Sequence, residues 1–163
     1  MTSGDYQPQP GPYGEPGGYP PPGGQEPGGL GVRFGARLID GIIVNVVAFV
    51  IAFAIGSLNN YWVTGLFSGL LMFLYFLAFE STQGWTPGKK LLGLSVHGPG
   101  GAPKPDVQQA AIRNVWTLLN IVPFIGGVLT FIAVIVIAVT INGSPTKQGK
   151  HDELAGGTQV VKG

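Results

Sequence analysis

The residues of this chain that could do chemistry are a few charged side chains beside or within apolar segments. Arg37 and Asp40 are three positions apart at the start of a long apolar run, which places them on neighbouring positions of one helical face. Arg113 lies on the polar side of a later amphipathic segment, and Asp152 lies near the C-terminal end of the sequence. A carboxylate in apolar surroundings must be neutral or paired, so these four residues form the candidate charge cluster.

Two interpretations of this cluster remain open from the sequence. In the first, Asp40 forms an ion or proton site together with Arg37, Arg113 and Asn45. In the second, Arg37 and Asp40 form a structural ion pair that fixes helix packing, with Arg37 extending towards an interface. Asp152 either pairs with Arg37 or is a solvated charge.

Other kinds of chemistry are disfavoured by composition and spacing. The chain has no cysteine, which excludes thiolate ligands and disulfides, and its two histidines, His97 and His151, lack metal-ligand spacing. We therefore expect no metal site and no cofactor. The sequence shows no Ser–His arrangement, paired catalytic aspartates or HExxH motif, so we expect no enzyme. Gly88-Lys89-Lys90 fails the P-loop pattern, and no basic patch with interleaved aromatic residues indicates nucleic-acid binding.

The elements that must position the cluster are strongly apolar. Charged residues make up only 10% of the 163 residues, and the mean hydropathy is +0.32. Residues 41–79 and 114–146 contain no Asp, Glu, Lys or Arg. Each of these runs is long enough for more than one crossing of a bilayer, because one crossing needs about 20 residues. The sequence therefore predicts an all-α membrane protein, a small helical bundle in the lipid bilayer.

We predict three to four membrane-embedded segments, at about residues 32–56, 61–79, 106–122 and 124–141. Region 105–142 is too long for one crossing, and Pro123, Gly126 and Gly127 interrupt it. Its first arm is amphipathic, and it either lies in the membrane interface or descends into the bundle. Gly65 and Gly69 form a small-xxx-small pair that allows close helix approach, unless the pair is incidental.

The distribution of Lys and Arg predicts the topology. These residues precede the first segment, follow the second and recur at the C-terminal end, whereas the turn at residues 57–60 carries no charge. By the positive-inside rule, both termini and the middle loop are cytoplasmic, which requires an even number of crossings. The alternative has three crossings and an external C-terminus. In the middle loop, residues 91–96 and the turn after them predict a short cytoplasmic β-hairpin.

The segment Met1–Gly31 contains 10 glycines and 8 prolines. Such a composition cannot bury enough apolar surface to offset the entropy of ordering, so we predict a disordered tail with polyproline II character. The tail is either a solvated segment or an arm that recognises a protein partner. The membrane domain would then comprise residues 32–163.

Four motifs in order resemble those of the RDD family of bacterial membrane proteins. The family is named for one arginine and two aspartates, which the resemblance places at Arg37, Asp40 and Asp152. The motifs are Arg37-Leu38-Ile39-Asp40, the segment after the second span with Thr86, Pro87, Gly88, Lys89 and Gly93, the pair Arg113-Asn114, and residues 151–161. The resemblance covers about residues 30–162, and the front resembles the tails of proline-rich-antigen-type members. A departure is the doubled glycine at residues 156–157, where the family usually has one.

The resemblance implies a multi-pass protein of the bacterial cell membrane. Transport of small ligands has been suggested for the family, and cation/proton antiport has been attributed to some members. One functional hypothesis is therefore a transport-associated protein that uses Asp40. Because no internal repeat supports a complete transporter, this hypothesis calls for a homo-oligomer, packed through Gly65 and Gly69, or a larger membrane complex. The alternative is a non-transporting accessory or scaffold subunit, recruited through the Gly/Pro-rich tail.

Overall fold

The computed structural model of the protein describes residues 21–163, so the first 20 residues of the predicted tail lie outside it. Helices and strands are numbered in chain order. The helices are α1 Leu30–Ala54, α2 Tyr61–Gln83, α3 Pro87–Leu91, α4 Val107–Asn114, α5 Gly126–Gly143 and α6 Lys150–Leu154, and the strands are β1 Glu26–Pro27, β2 Leu94–His97 and β3 Gln159–Lys162.

Three helices, α1, α2 and α5, are long and apolar enough to cross a membrane. Their outward side chains are large and apolar, as at Phe53 and Phe131, which are more than half exposed. A helix that is apolar on every face needs lipid or protein around it, and here much of that surface meets no protein. The predicted all-α membrane fold is confirmed.

Local sequence signals set the ends of α2 and α3. The Asn60 side chain accepts hydrogen bonds from the backbone N–H groups of Trp62 and Val63, which caps the start of α2. The helix ends at Gly84, whose φ of 74° is in the left-handed region that favours glycine. Two residues later, Thr86 caps α3, and Pro87 occupies the first turn of that helix.

The third predicted segment is a helix broken into two parts. After α4, which begins at a capping box of Asp106 and Gln109, the chain continues as a 3-10 helix over Val115–Ile121. Asn114 at one end contacts Glu80, and residues 120–121 at the other end contact Gly65. These contact points on α2 are about 22 Å apart at about 1.5 Å per residue. The amphipathic arm therefore descends along α2 instead of lying flat in the interface.

Gly65 and Gly69 are the surface on α2 that receives this arm. A Cβ atom at Gly69 would lie 2.7 Å from Cγ1 of Ile121, and one at Gly65 would lie 3.1 Å from the Ile121 carbonyl oxygen. The close approach predicted for the glycine pair is thus made within one chain. The prediction that these two glycines form an oligomer contact is wrong, because Ile121 of the same chain already covers them.

The chain reverses direction at residues 122–125, where Phe124 has a φ of 66°. Its ring packs against Tyr61 at the start of α2, with 5.6 Å between the ring centroids. The predicted interruption around Pro123 is therefore confirmed. After it, α5 returns towards the end of the bundle that carries the sheet.

A three-stranded antiparallel sheet joins distant parts of the chain at one end of the bundle. The strand order is β1-β3-β2, with Glu26 opposite Lys162 and Leu94 also opposite Lys162. The two ends of the described chain and the middle loop therefore lie on the same side. This pairing contradicts the alternative in which three crossings carry the C-terminus to the opposite side.

The sheet also revises two boundaries. A strand is present in the middle loop, but its partner is β3 instead of a neighbouring strand, so the predicted hairpin is part of a larger sheet. Residues 26–27 are in the sheet and α1 begins at Leu30, so the last residues of the predicted tail 1–31 belong to the folded domain. A small apolar cluster packs α1 against the sheet; it consists of Ala36, Leu94, Val96 and Val160.

Candidate functional site

Asp40 is fully buried on α1 and is held by three neutral donors. Its Oδ1 accepts hydrogen bonds from the Tyr75 hydroxyl and the Gly88 backbone N–H, both at 2.7 Å. Its Oδ2 accepts from the Thr86 hydroxyl at 2.5 Å. The same Thr86 oxygen accepts from the Lys89 backbone N–H as the cap of α3. Asp40 therefore fastens α1 to the connection between α2 and α3.

The motif residues after α2 each have a structural role around this carboxylate. Gly88 is needed because a Cβ there would lie 2.9 Å from Oδ1 of Asp40. Pro87 starts the short helix. Gly93 has a φ of 66°, and its carbonyl accepts a hydrogen bond from the Gly163 N–H at 2.9 Å. The Lys89 side chain points away from Asp40 and binds a second carboxylate, that of Glu80.

Asp152, on α6, is the centre of a second set of contacts. Its carboxylate binds Arg33 at 2.6 Å and Arg113, and it accepts hydrogen bonds from the Gly149 N–H at 3.0 Å and the Thr158 hydroxyl at 3.3 Å. Burial alone would raise the pKa of Asp152, but the guanidinium groups of Arg113 and Arg33 outweigh it and hold that pKa well below its usual range. The carboxylate is therefore ionised.

Glu80, near the end of α2, is the third fully buried carboxylate. It binds the Lys89 ammonium, the Nε of Arg113 at 3.1 Å and the side-chain amide of Asn114 at 2.9 Å. Burial lowers the pKa of Lys89 to about 8, against the opposing effect of Glu80. Glu80 is not among the four predicted cluster residues, and the signal that it is buried is its spacing of four residues from buried Phe76.

Arg113 connects these two ion pairs, because it contacts Glu80 through Nε and Asp152 through Nη1. The result is a continuous buried network from Arg33 through Asp152, Arg113 and Glu80 to Lys89. Of the four predicted cluster residues, the structure joins Arg113 and Asp152 directly. Asn45, proposed with them, bonds only to the Gly41 carbonyl of its own helix.

Arg37 has different partners from those predicted. Its Nη1 donates to the side-chain oxygen of Asn114 at 3.2 Å. Its guanidinium lies over the Phe76 ring, 3.5 Å from the centroid, and 4.7 Å from that of Trp116. The proposed pairing of Arg37 with Asp152 is wrong, because Arg33 makes that contact.

A family model supplies the identity of this arrangement. The model described as RDD, the RDD family, matches residues 27–156. This chain belongs to the RDD family. No curated protein and no solved structure matches it significantly. The match covers most of the RDD chain, from the end of β1 to the second residue after α6.

The RDD domain carries one neutral group beside its charge network, the imidazole of His151. Burial lowers the pKa of His151 to about 3, although Asp152 opposes this effect. Nε2 of His151 lies 3.6 Å from Asp152, too far for a hydrogen bond. The imidazole is therefore uncharged at neutral pH.

Across residues 21–163 of the RDD chain, no three His, Asp or Glu side chains are grouped so that they could hold a metal ion. Asp40, Glu80 and Asp152 each accept at least three hydrogen bonds or ion-pair contacts from protein groups. The carboxylates are therefore satisfied by the protein itself. Beside the network, Arg37 has no carboxylate within ion-pair distance among these described residues.

Proposed function

We propose that this RDD chain is a non-enzymatic accessory subunit of a bacterial cell-membrane complex, and that it does not exchange protons for cations. The observation that carries the proposal is the saturation of the three buried carboxylates. A cation site needs carboxylate oxygens that can turn towards the ion. In this domain Asp40 is held by Tyr75, Thr86 and Gly88, and the other two carboxylates hold arginine and lysine side chains.

The energetic argument supports a structural role for the network. Binding a cation at Asp152 or Glu80 would displace Arg33, Lys89 or Arg113 from its partner. An uncompensated buried charge costs about 3–5 kcal/mol. A cycle of proton and cation exchange would incur this cost at every turn, whereas a permanent network incurs none. The same saturation argues against enzymatic activity, because none of the three carboxylates is free to act as a general base.

The accessory interpretation also agrees with the position of the charge network and the sheet. The network and the sheet both lie at the end of the bundle where α1, the middle loop and the C-terminal strand meet. Such a fastened end provides a rigid surface for a partner. The proposed recruiting arm, and the proline-rich-antigen-type assignment that depends on it, concern mainly residues 1–20, which lie outside the described residues.

The test is proton flux in proteoliposomes that contain the purified full chain. A pH gradient is imposed, sodium or potassium is added, and internal pH is followed with a dye. We expect the parent and an Asp40→Asn variant to match protein-free vesicles, while a cation/proton exchanger in parallel vesicles shows flux. Flux in the parent that disappears in a folded Asp40→Asn variant would overturn the proposal.

A second measurement addresses the accessory role directly. Native gel electrophoresis of gently solubilised membranes should place the chain in a complex well above its own 17.0 kDa. Mass spectrometry of that band should find a second polypeptide in fixed proportion. A chain that migrates only as a monomer or a homo-oligomer would contradict the accessory role.

A further inference from the structure

A small cavity beside the charge network has positively charged side chains on one side. It measures ≈ 90 Å³. Four cationic residues contribute to its lining, namely Arg33, Arg37, Lys89 and Arg113, and no Asp or Glu does. The buried carboxylates Asp40, Glu80 and Asp152 bind other protein groups and are not part of the lining. The cavity is therefore an electropositive site at the edge of the bundle.

The apolar side of the same cavity comes from two spanning helices. Leu30 and Phe34 of α1 contribute to it, together with Val134, Ile137, Ala138 and Ile141 of α5. Phe34 is half-exposed, so this side continues onto the lipid-facing surface of α1. A ligand that matches both sides has an anionic group and an apolar group.

The charges around the cavity do not balance. The cations are Arg33, Lys89 and Arg113, which are buried, and Arg37, which is partly buried. The carboxylates are Asp40, Glu80 and Asp152, and His151 is neutral. This leaves one positive charge in excess. Arg37 is the one of these cations without an ion pair, because within the described residues no carboxylate lies within ion-pair distance of its guanidinium. A buried charge without a counter-charge is costly, and an anion would compensate it.

Unused hydrogen-bond donors point to the same place. In the described part of the chain, Nη2 of Arg37 and Nε1 of Trp116 are buried and have no hydrogen-bond partner. Both residues line the cavity. Guanidinium and indole N–H groups can only donate, so what satisfies them must accept. An oxyanion does this best, because its several oxygens fit the fork of an arginine.

We propose that this cavity binds the phosphate group of an anionic phospholipid, whose acyl chains lie along the apolar surface of α1 and α5. The phosphate oxygens accept from Arg37 and Trp116 and supply the missing negative charge. Basic pockets between membrane helices are a recurrent form of lipid-headgroup site. The apolar side favours a lipid over free phosphate, which has the same oxyanion but no acyl chain. This site is independent of whether the chain transports cations, since it uses none of the carboxylates.

The test is native mass spectrometry and thermal unfolding of the full chain in detergent. Phosphatidylglycerol, phosphatidylcholine or inorganic phosphate is added at matched concentrations. We expect phosphatidylglycerol to stay bound in the mass spectrometer. We also expect phosphatidylglycerol to raise the Tm, and phosphatidylcholine and inorganic phosphate to leave it unchanged. Arg37→Gln should weaken binding about tenfold, because it removes a charge-assisted contact without breaking an ion pair. Trp116→Phe removes only the indole donor and should weaken binding less.

Lys162→Gln is the matched control, because Lys162 is an exposed cation at the same end of the bundle, and it should bind lipid like the parent. Equal binding of the two lipids, or equal loss in Lys162→Gln and Arg37→Gln, would overturn the proposal. Stabilisation by inorganic phosphate that depends on Arg37, without a lipid effect, would overturn the lipid source and assign the site to a soluble oxyanion.

Discussion

Arg33 and Arg37 of α1 are both candidates to pair with Asp152, and their positions on the helix decide which of them does. The buried residues of this helix are Arg33, Ala36, Asp40, Val44, Ala48 and Ala52, which follow each other at intervals of three or four. This spacing defines one face of a helix. Arg33 is on that face, whereas Arg37 lies one position beside it and turns towards Phe76 and Trp116.

The spacing of the apolar residues on α1 indicates Arg33, whereas the family motif Arg37-Leu38-Ile39-Asp40 indicates Arg37. Arg37 is closer to Asp40 in the chain, which made it the natural partner by spacing. Continuing the buried face of α1 from Ala36 one turn towards the N-terminus would have identified Arg33 as the buried arginine of this helix. The partners of Asp40 itself were beyond the sequence, because Tyr75 and Thr86 are 35 and 46 positions away and are neutral.

A double-mutant cycle tests which arginine holds Asp152. Combining Arg33→Gln with Asp152→Asn should give a coupling energy of about 1–3 kcal/mol, because each single change removes a buried charged contact of the other side chain. The matched cycle with Arg37→Gln should give less than about 0.5 kcal/mol, the usual error of additivity. Unfolding in mixed detergent micelles, followed by circular dichroism, supplies the free energies.

The exposed pair Lys150–Glu153 provides the control for charge removal on the same helix. Glu153→Gln should change the free energy of unfolding by under about 1 kcal/mol, since surface ion pairs contribute little. If the Arg37 cycle shows the larger coupling, the assignment of Arg33 to Asp152 is incorrect.

Among the elements, the apolar runs and their interruptions were accessible from sequence, whereas the small sheet was not. Residues without charge over spans of this length predict membrane helices, and Pro123 with two nearby glycines predicts a break. The strands have only two to four residues, and their partners lie more than 60 positions apart. No local pattern specifies such a pairing, so the nearest turn suggested a hairpin.

The contact between α1 and α3 gives a sharp prediction about glycine. Gly88→Ala should destabilise the domain by about 1–3 kcal/mol, because the new methyl group would meet the Ala36 carbonyl and the Asp40 carboxylate. Gly41→Ala is the control on α1, since no atom lies within 4 Å of a Cβ at Gly41. That change should be neutral or stabilising by up to about 1 kcal/mol. Thermal unfolding of both variants in the same detergent measures the difference. Equal stability of Gly88→Ala and Gly41→Ala would show that α3 can move away from α1 without cost.

At the scale of the whole molecule, the described residues concentrate positive charge at one end. Arg33, Arg113 and Lys89 lie in the network, Lys162 lies in the sheet, and the opposite turn at residues 57–60 carries no charge. By the positive-inside rule, we expect the sheet to lie on the cytoplasmic side. The sequence predicted this common side from charge alone, and the strand pairing gives the same grouping by an independent route.

The orientation can be measured because the chain has no cysteine of its own. Single cysteines at Asn59 and at Lys150, both exposed positions, are treated in intact cells with a membrane-impermeant maleimide. We expect labelling of Asn59→Cys only, and labelling of both variants after the membrane is opened, which controls for reactivity. Because β3 pairs with β1 and β2, a third cysteine at exposed Lys162 must behave as Lys150→Cys does. Labelling of Lys150→Cys and Lys162→Cys in intact cells would reverse the orientation, and labelling of only one of them would contradict the sheet itself.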